Sequence, residues 1–359
     1  MRNSRLIDLA ILAPVLSLSL LLLVTCGGGG GGGSAAPPPS PSPTAMVTTL
    51  AGLYPYSGST DGTGAQARFT QPMGVAVDGS GNVYVADTGN FVFRKVGPTG
   101  SVVTIAAPAY VGQALKLALD GGGGIYYTDN KTICRVTSSG VITTLAGSPG
   151  VSGSADGTGA AARFTKLMGV AADRFGNVYV TDNNTIRKIT ATGVVTTLAG
   201  SPGVIGSADG VGATAWFYNP WDLCVDSFEN VYVVDTDNNT IRKVTPGGVV
   251  STLAGTPGVV GSADGVGATA QFNSPRGVAV DLAGNIYVAD TVNSTIRKVT
   301  ATGVVTTYAG KANAWGTADG SAIATARFRE PYGVAVDASG KVFVADTNNH
   351  TIRLVTPAP

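Results

Sequence analysis

From Met46 onward, apolar and polar positions alternate in runs of four to seven residues rich in Val, Ile, Tyr and Thr, each broken by Gly, Asn, Asp or Ser. Period-two runs bounded by turn formers predict strands rather than helices. One set of four runs reads Gly277-Val-Ala-Val-Asp281, Asn285-Ile-Tyr-Val-Ala-Asp290, Thr295-Ile-Arg-Lys-Val-Thr300 and Val304-Val-Thr-Thr-Tyr-Ala-Gly310. The Asp that ends its first run recurs at Asp78, Asp120, Asp173, Asp226, Asp281 and Asp337, with spacings of 42, 53, 53, 55 and 56 residues. Four short antiparallel strands per repeat, a to d, predict an all-β chain: a six-bladed β-propeller of four-stranded antiparallel blades. Asp281-Leu-Ala-Gly-Asn285 predicts a tight a–b hairpin, with Gly and Asn supplying positive φ.

The last repeat supplies strands a to c and then stops. Its missing strand d, Val47-Thr-Thr-Leu-Ala-Gly52, stands alone before the first repeat and matches Val195-Thr-Thr-Leu-Ala-Gly200. The N-terminal strand is therefore expected to complete the sixth blade and close the ring, which removes the free edges of an open array. With 51 glycines and 13% charged residues the composition fits many tight turns, and 44% hydrophobic residues suffice for a core. The combination Pro-x-Gly-Val-Ala-Val-Asp, Gly-Asn-x-Tyr-Val-Ala-Asp-Thr-x-Asn and Ile-Arg-Lys-Val resembles the NHL repeat family across residues 46–359. The second copy is degenerate. It keeps Leu117-Ala-Leu-Asp120 and Ile125-Tyr-Tyr-Thr-Asp129 but has lost the long loop before strand a.

Ahead of the repeats, Arg2 and Arg5 precede an apolar run from Leu9 to Val24, and Cys26 follows Thr25. Residues 1–25 read as an export leader similar to those of bacterial lipoproteins, with Cys26 as the lipidated residue. Thr25 departs from the small residue usual there, which leaves ordinary cleavage or an uncleaved anchor open. Residues 26–45, rich in Gly, Pro and Ser, read as a tether, and residues 46–359 as the propeller. The 23 basic residues less Arg2 and Arg5, and the 22 acidic residues less Asp8, leave 21 of each. A neutral exported chain offers no electrostatic footprint for nucleic acid. It is expected in the cell envelope, at the outer membrane where there are two, or secreted. Membrane contact would come through the lipid alone, and the propeller is expected to be a monomer. Cys134 and Cys224 fall in non-adjacent blades, which argues against a disulfide and for small buried hydrophobes.

Five repeats carry a long d–a loop such as Gly147 to Phe164. Its Phe, at Phe69, Phe164, Phe217, Phe272 and Phe328, is expected to plug the gap between blades. The loop also holds an Asp-Gly pair at Asp61, Asp156, Asp209, Asp264 and Asp319, for which an Asx turn is a simpler account than calcium, since one carboxylate per loop is too few. The Asp after strand b, at Asp87, Asp182, Asp235, Asp290 and Asp346, and the Arg of strand c are expected to pair within blades.

Positions that break the repeat are the candidate site. The residue before Gly-Val-Ala-Val reads Met73, Leu115, Met168, Trp221, Arg276 and Tyr332, and these should ring the channel mouth; Asp222 replaces the glycine that follows. Arg68, Arg163, Trp216, Gln271 and Arg327, each before the loop Phe, form a second variable set. Aromatic, Met and Arg residues are those enriched where proteins bind partners. Catalytic parts are few. His350 is the one histidine, too few for the His-rich metal centres of lyases on similar propellers, and Glu229 and Glu330 are the only glutamates. No cofactor, metal or catalytic residue is assigned. The favoured expectation is a scaffold that binds an extracytoplasmic protein, peptide or glycan; the alternatives are a lactonase- or lyase-like enzyme using the channel mouth and a cell-surface spacer.

Overall fold

The computed structural model describes residues 44–106 and 116–358. The leader, Cys26, nearly all of the tether, and Leu115 lie outside the described residues. The repeats fold into six small antiparallel sheets whose inner strands follow one another around a ring. In blade 5, strands a to d are Gly277–Val280, Ile286–Asp290, Thr295–Val299 and Val304–Gly310. Strand d of blade 6 is Met46–Ala51, which pairs antiparallel with Thr351–Thr356 in the register Met46↔Thr356 and Val47↔Val355. The N-terminal strand thus closes the ring as expected.

Blades 1, 3, 4, 5 and 6 carry a fifth strand that the sequence pattern does not reveal. Two residues of the long loop, such as Gly265–Val266, pair with the outer edge of strand d. The loop leaves the preceding blade, covers the outer edge of the next, turns through a short 3-10 segment in blades 1, 3, 4 and 5 and a wider turn in blade 6, and returns to strand a. An edge that would otherwise present unpaired N–H and C=O groups is capped. Blade 2, without the loop, has four strands.

The core lies between blades, because a period-two strand buries one face against each neighbour. Six apolar clusters occupy the six interfaces. Five of them hold the loop Phe, fully buried. The interface between blades 1 and 2 lacks it. There Phe93 stands where the other blades have Ile and Tyr127 where they have Val, and the two rings meet edge-on at 5.2 Å.

Each Phe lies beneath the strand-c arginine of its blade, for example Arg242 over Phe217 at 5.1 Å. Arg242 Nη1 donates to Asp235 Oδ2 at 2.8 Å and Nη2 donates to Asp209 Oδ1 at 2.7 Å. Arg94, Arg187, Arg297 and Arg353 repeat this arrangement, all fully buried. The strand-b Asp and strand-c Arg therefore pair as expected. The Asp-Gly residues, however, do not close Asx turns. Asp209 takes Arg242 together with Thr252 N and Thr252 Oγ1, at 3.1 and 3.0 Å, clamping the loop to strand d. The carboxylate is more useful to the fold as the arginine's second counter-charge.

The a–b hairpins also differ in detail from expectation. Gly284 has φ of 80°, whereas Asn285 keeps ordinary dihedrals and donates through Nδ2 to Asp281 Oδ2 at 2.8 Å. Asp281 also accepts the backbone N–H groups of Ala283 and Asn285, so the Asx turn lies here. Cys134 and Cys224 are free thiols, the first buried and the second half-buried.

Candidate binding site at the channel mouth

The side chains before the strand-a glycine reach the mouth through a break in the ladder. The register between strands a and b shifts at Pro72/Gly74, Leu167/Val170, Pro220/Asp222 and Pro331/Gly333, so Met73, Met168, Trp221 and Tyr332 all occupy β-bulges. A bulged residue leaves the strand pairing and is re-aimed, which is why its identity varies while the blade does not. Bonds from the preceding blade fix the backbone. Thr236, Thr291 and Thr347 donate through Oγ1 to Pro275 O, Pro331 O and Pro72 O at 2.7, 2.8 and 2.7 Å, one residue before Arg276, Tyr332 and Met73.

Three mouth residues from successive blades come together. The Arg276 guanidinium lies between two rings, 4.7 Å from the Trp221 centroid and 4.5 Å from that of Tyr332. Its Nη1 donates to Tyr332 Oη, and the rings are edge-on at 6.2 Å. All three are half-buried. Burial raises the Tyr332 hydroxyl above its ordinary pKa, with Arg276 opposing. Trp221 Nε1 and Arg276 Nε are buried donors without an acceptor. Met73 is half-buried, and Met168 is buried at 6% exposure, packed in rather than offered to the mouth.

Below this cluster a buried ion pair crosses the channel. Lys116 Nζ lies 2.8 Å from Asp222 Oδ2, and both residues stand where the other blades have the strand-a glycine. Glycine is required elsewhere because consecutive inner strands approach closely: a Cβ on Gly169 would come within 2.7 Å of Asp222 Cα. Blades 2 and 4 replace that glycine with opposite charges. Lys116 also donates to Tyr332 O at 2.9 Å, and Asp222 accepts from Leu223 N at 2.9 Å and from the Val278 N–H. The pair thereby ties blades 2, 4, 5 and 6 together. Burial raises the Asp222 carboxyl against the pull of Lys116. Beneath the pair is a cavity of about 220 Å³ lined by the inner strands. Lys116 is the residue that the sequence reading missed. Its signal was present, a lysine at the glycine position of the second repeat, but the degeneracy of that repeat concealed it.

The second variable set serves its own loops. Arg68, Arg163 and Arg327 each donate through Nη1 to carbonyls of the adjoining loop turn, as Arg327 does to Ala326 O at 2.7 Å. Trp216 and Gln271 pack against Gly206 and Gly261 at the equivalent place. Trp216 is 40% exposed, and none of the five joins the Trp221 cluster. His350 accepts the Gln71 N–H at Nδ1, 3.1 Å, a latch that Asn239 performs for Ser274 at 2.8 Å. Burial and Arg329 hold its pKa below the usual histidine value. Glu229 pairs with Lys188 at 3.2 Å, and Glu330 is exposed.

The family described as NHL repeat matches residues 69–91, 217–244, 272–299 and 328–353. The chain is thus a six-bladed β-propeller in which four blades match the NHL repeat. Mouse teneurin-4 is 26% identical over 337 residues, which cover 79% of this chain and 12% of that protein. This chain therefore spans a small fraction of that relative's length. An auxiliary nutrient binding protein from Bacteroides ovatus has a TM-score of 0.69 at 20% identity, covering 88% of this chain and 78% of that one. A streptogramin B lyase has a TM-score of 0.57 at 16% identity, covering 88% and 98%. Both structural likenesses concern the fold.

Proposed function

We propose that the protein is an exported, lipid-anchored binding module that takes its ligand on the loop face, at the channel mouth. The observation that carries this reading is the Trp221–Arg276–Tyr332 cluster: three different residues, from three successive blades, set on a ring that is otherwise repetitive. Aromatic and arginine side chains held rigidly in a partly desolvated place are the groups that dominate recognition. Beneath them the Lys116–Asp222 pair gives the mouth a floor. Asp222, the carboxylate best placed for general acid or base work, is committed to Lys116 and two backbone N–H groups, which favours binding over catalysis. The name of the Bacteroides ovatus structure, an auxiliary nutrient binding protein, accords with a binding role. Cys26 and the tether would hold the ring away from the membrane, and radiolabelled palmitate incorporated by wild type and lost in Cys26→Ala would establish the anchor.

The test of the site is a screen of the full chain against cell-surface glycans, peptides and extracytoplasmic proteins, repeated with Trp221→Ala plus Tyr332→Ala. A hit abolished in the double variant supports the reading. Hits that ignore both residues would move recognition to another face, and no hit at all would favour a spacer.

A further inference from the structure

We infer that the mouth, on the binding-module reading, takes an acidic saccharide and docks a uronate carboxylate on Arg276. Among the described residues Arg276 has no carboxylate partner, whereas the five strand-c arginines hold two each. Its charge is half-buried and faces two rings and the Tyr332 hydroxyl rather than an anion. A cation removed from water without a counter-charge is costly, and a bound anion offsets that cost.

The free hydrogen-bonding capacity points the same way. The unpartnered buried atoms of the cluster, Arg276 Nε and Trp221 Nε1, are both donors; the strand-c arginines also leave Nε unpartnered, so the donor peculiar to the mouth is Trp221 Nε1. Asp222 is neutralised by Lys116, and exposed Glu330 makes no ion pair with Arg276. Guanidinium and carboxylate match in shape and charge, so the ligand group that fits is a carboxylate.

A saccharide suits the surroundings better than a peptide end. Peptides commonly add to a free sheet edge, but at this mouth the backbone groups are already engaged: Val278 N–H by Asp222, Tyr332 O by Lys116, Arg276 N by Ala289 O and Met168 O by Thr128. Tyr218, three residues before Trp221 and 40% exposed, instead presents a flat apolar face for a sugar ring. Asn219, which accepts from Lys166 Nζ at 3.1 Å, adds an amide and a nearby second cation.

Calorimetric titration of the full chain in detergent, with an oligogalacturonate and with its methyl ester, tests the inference. The acid is expected to bind roughly tenfold or more tightly than the ester, the value of one charge-assisted hydrogen-bond pair. Arg276→Gln should erase the difference at an unchanged unfolding midpoint; the acid–ester comparison on wild type stands even if that variant does not fold. Equal binding of both forms, weakened by Trp221→Ala, would overturn the carboxylate inference and leave the binding module intact. Binding by neither form overturns the saccharide. So does capture of a free-acid peptide but not its amide, which would transfer the carboxylate to a peptide.

Discussion

Arg242 and its four counterparts each join a strand-b carboxylate, a loop carboxylate and a phenyl ring, and the side chains lie fully buried. Removing the guanidinium strands Asp235, at 0% exposure, without its charge partner. Arg242→Met should therefore cost about 3–5 kcal/mol in urea denaturation, the usual penalty for breaking a buried pair. The Lys116–Asp222 pair obeys the same physics with a different partner count. Lys116→Met and Asp222→Leu should each destabilise by several kcal/mol, whereas the double variant should recover most of that loss, since neither buried charge remains unpaired. Additive losses in the cycle would mean that the two residues act separately.

Charge at these positions also sets the response to pH. Burial pushes Asp235, Asp290 and Asp346 up to about 6, with Asn and Arg partners opposing, whereas in the unfolded chain they titrate near ~3.9. The native state holds their protons more tightly, so their stabilising contribution is complete below pH ~4 and is lost as pH rises through about 6. Asp61, whose slight burial is outweighed by hydrogen bonds from Thr104 and Arg94, is held low, and its contribution is lost only in stronger acid. His350 opposes the three aspartates, because its depressed pKa removes stability as pH falls. Measured in His350→Asn, which installs the residue that blade 4 uses, the urea midpoint should hold or rise from pH 7 to 5 and drop below pH ~4. A steady fall from pH 7 would contradict the raised carboxylates.

At the level of elements, the long loop and the arginine behave as one unit, and blade 2 shows it by losing both. Cys134 occupies the arginine position, Asp129 keeps its place with its carboxyl raised by burial, and Arg135 turns to Asp120 instead. The sequence made the strands legible because alternation reports burial directly. The loop's fifth strand stayed hidden because two residues carry no periodicity. The exchange of loop Phe for Phe93 and Tyr127 was hidden for another reason, since it pairs residues of different repeats. It yields a reciprocal test. Phe272→Ala should cost about 3–5 kcal/mol by opening the interface of blades 4 and 5. Phe93→Ile, which restores the residue other blades use, should still destabilise, by about 1–2 kcal/mol, because only this interface lacks the loop Phe. Neutrality at Phe93 would show that the ring pair fills nothing.

For the whole molecule, closure connects the first described strand to the candidate site. Repetition of the motif and the displaced strand made the ring readable in advance, but the meeting of Trp221, Arg276 and Tyr332 depends on three blades being held in order. Only the closed ring does that. Tyr332 belongs to the inner strand of blade 6, Pro331–Val336, in whose sheet Met46–Ala51 pairs between Thr351–Thr356 and the loop strand Gly320–Ser321. Removing Met46–Ala51 would leave Thr351–Thr356 as an unpaired edge and take Val47 and Ala51 from two interfaces. An exposed strand edge recruits other chains. A chain lacking residues 46–51 is therefore expected to self-associate in sedimentation and to unfold at lower urea. It should also lose ligand at the mouth, although no mouth residue has been touched. Val47→Thr, which keeps the strand but weakens its burial, should lower stability by about 1–3 kcal/mol with affinity retained. If the truncated chain stayed monomeric and bound as well as wild type, blade 6 would hold its place without closure, and the ordering of the site would have to come from the inner strands and the Lys116–Asp222 pair alone.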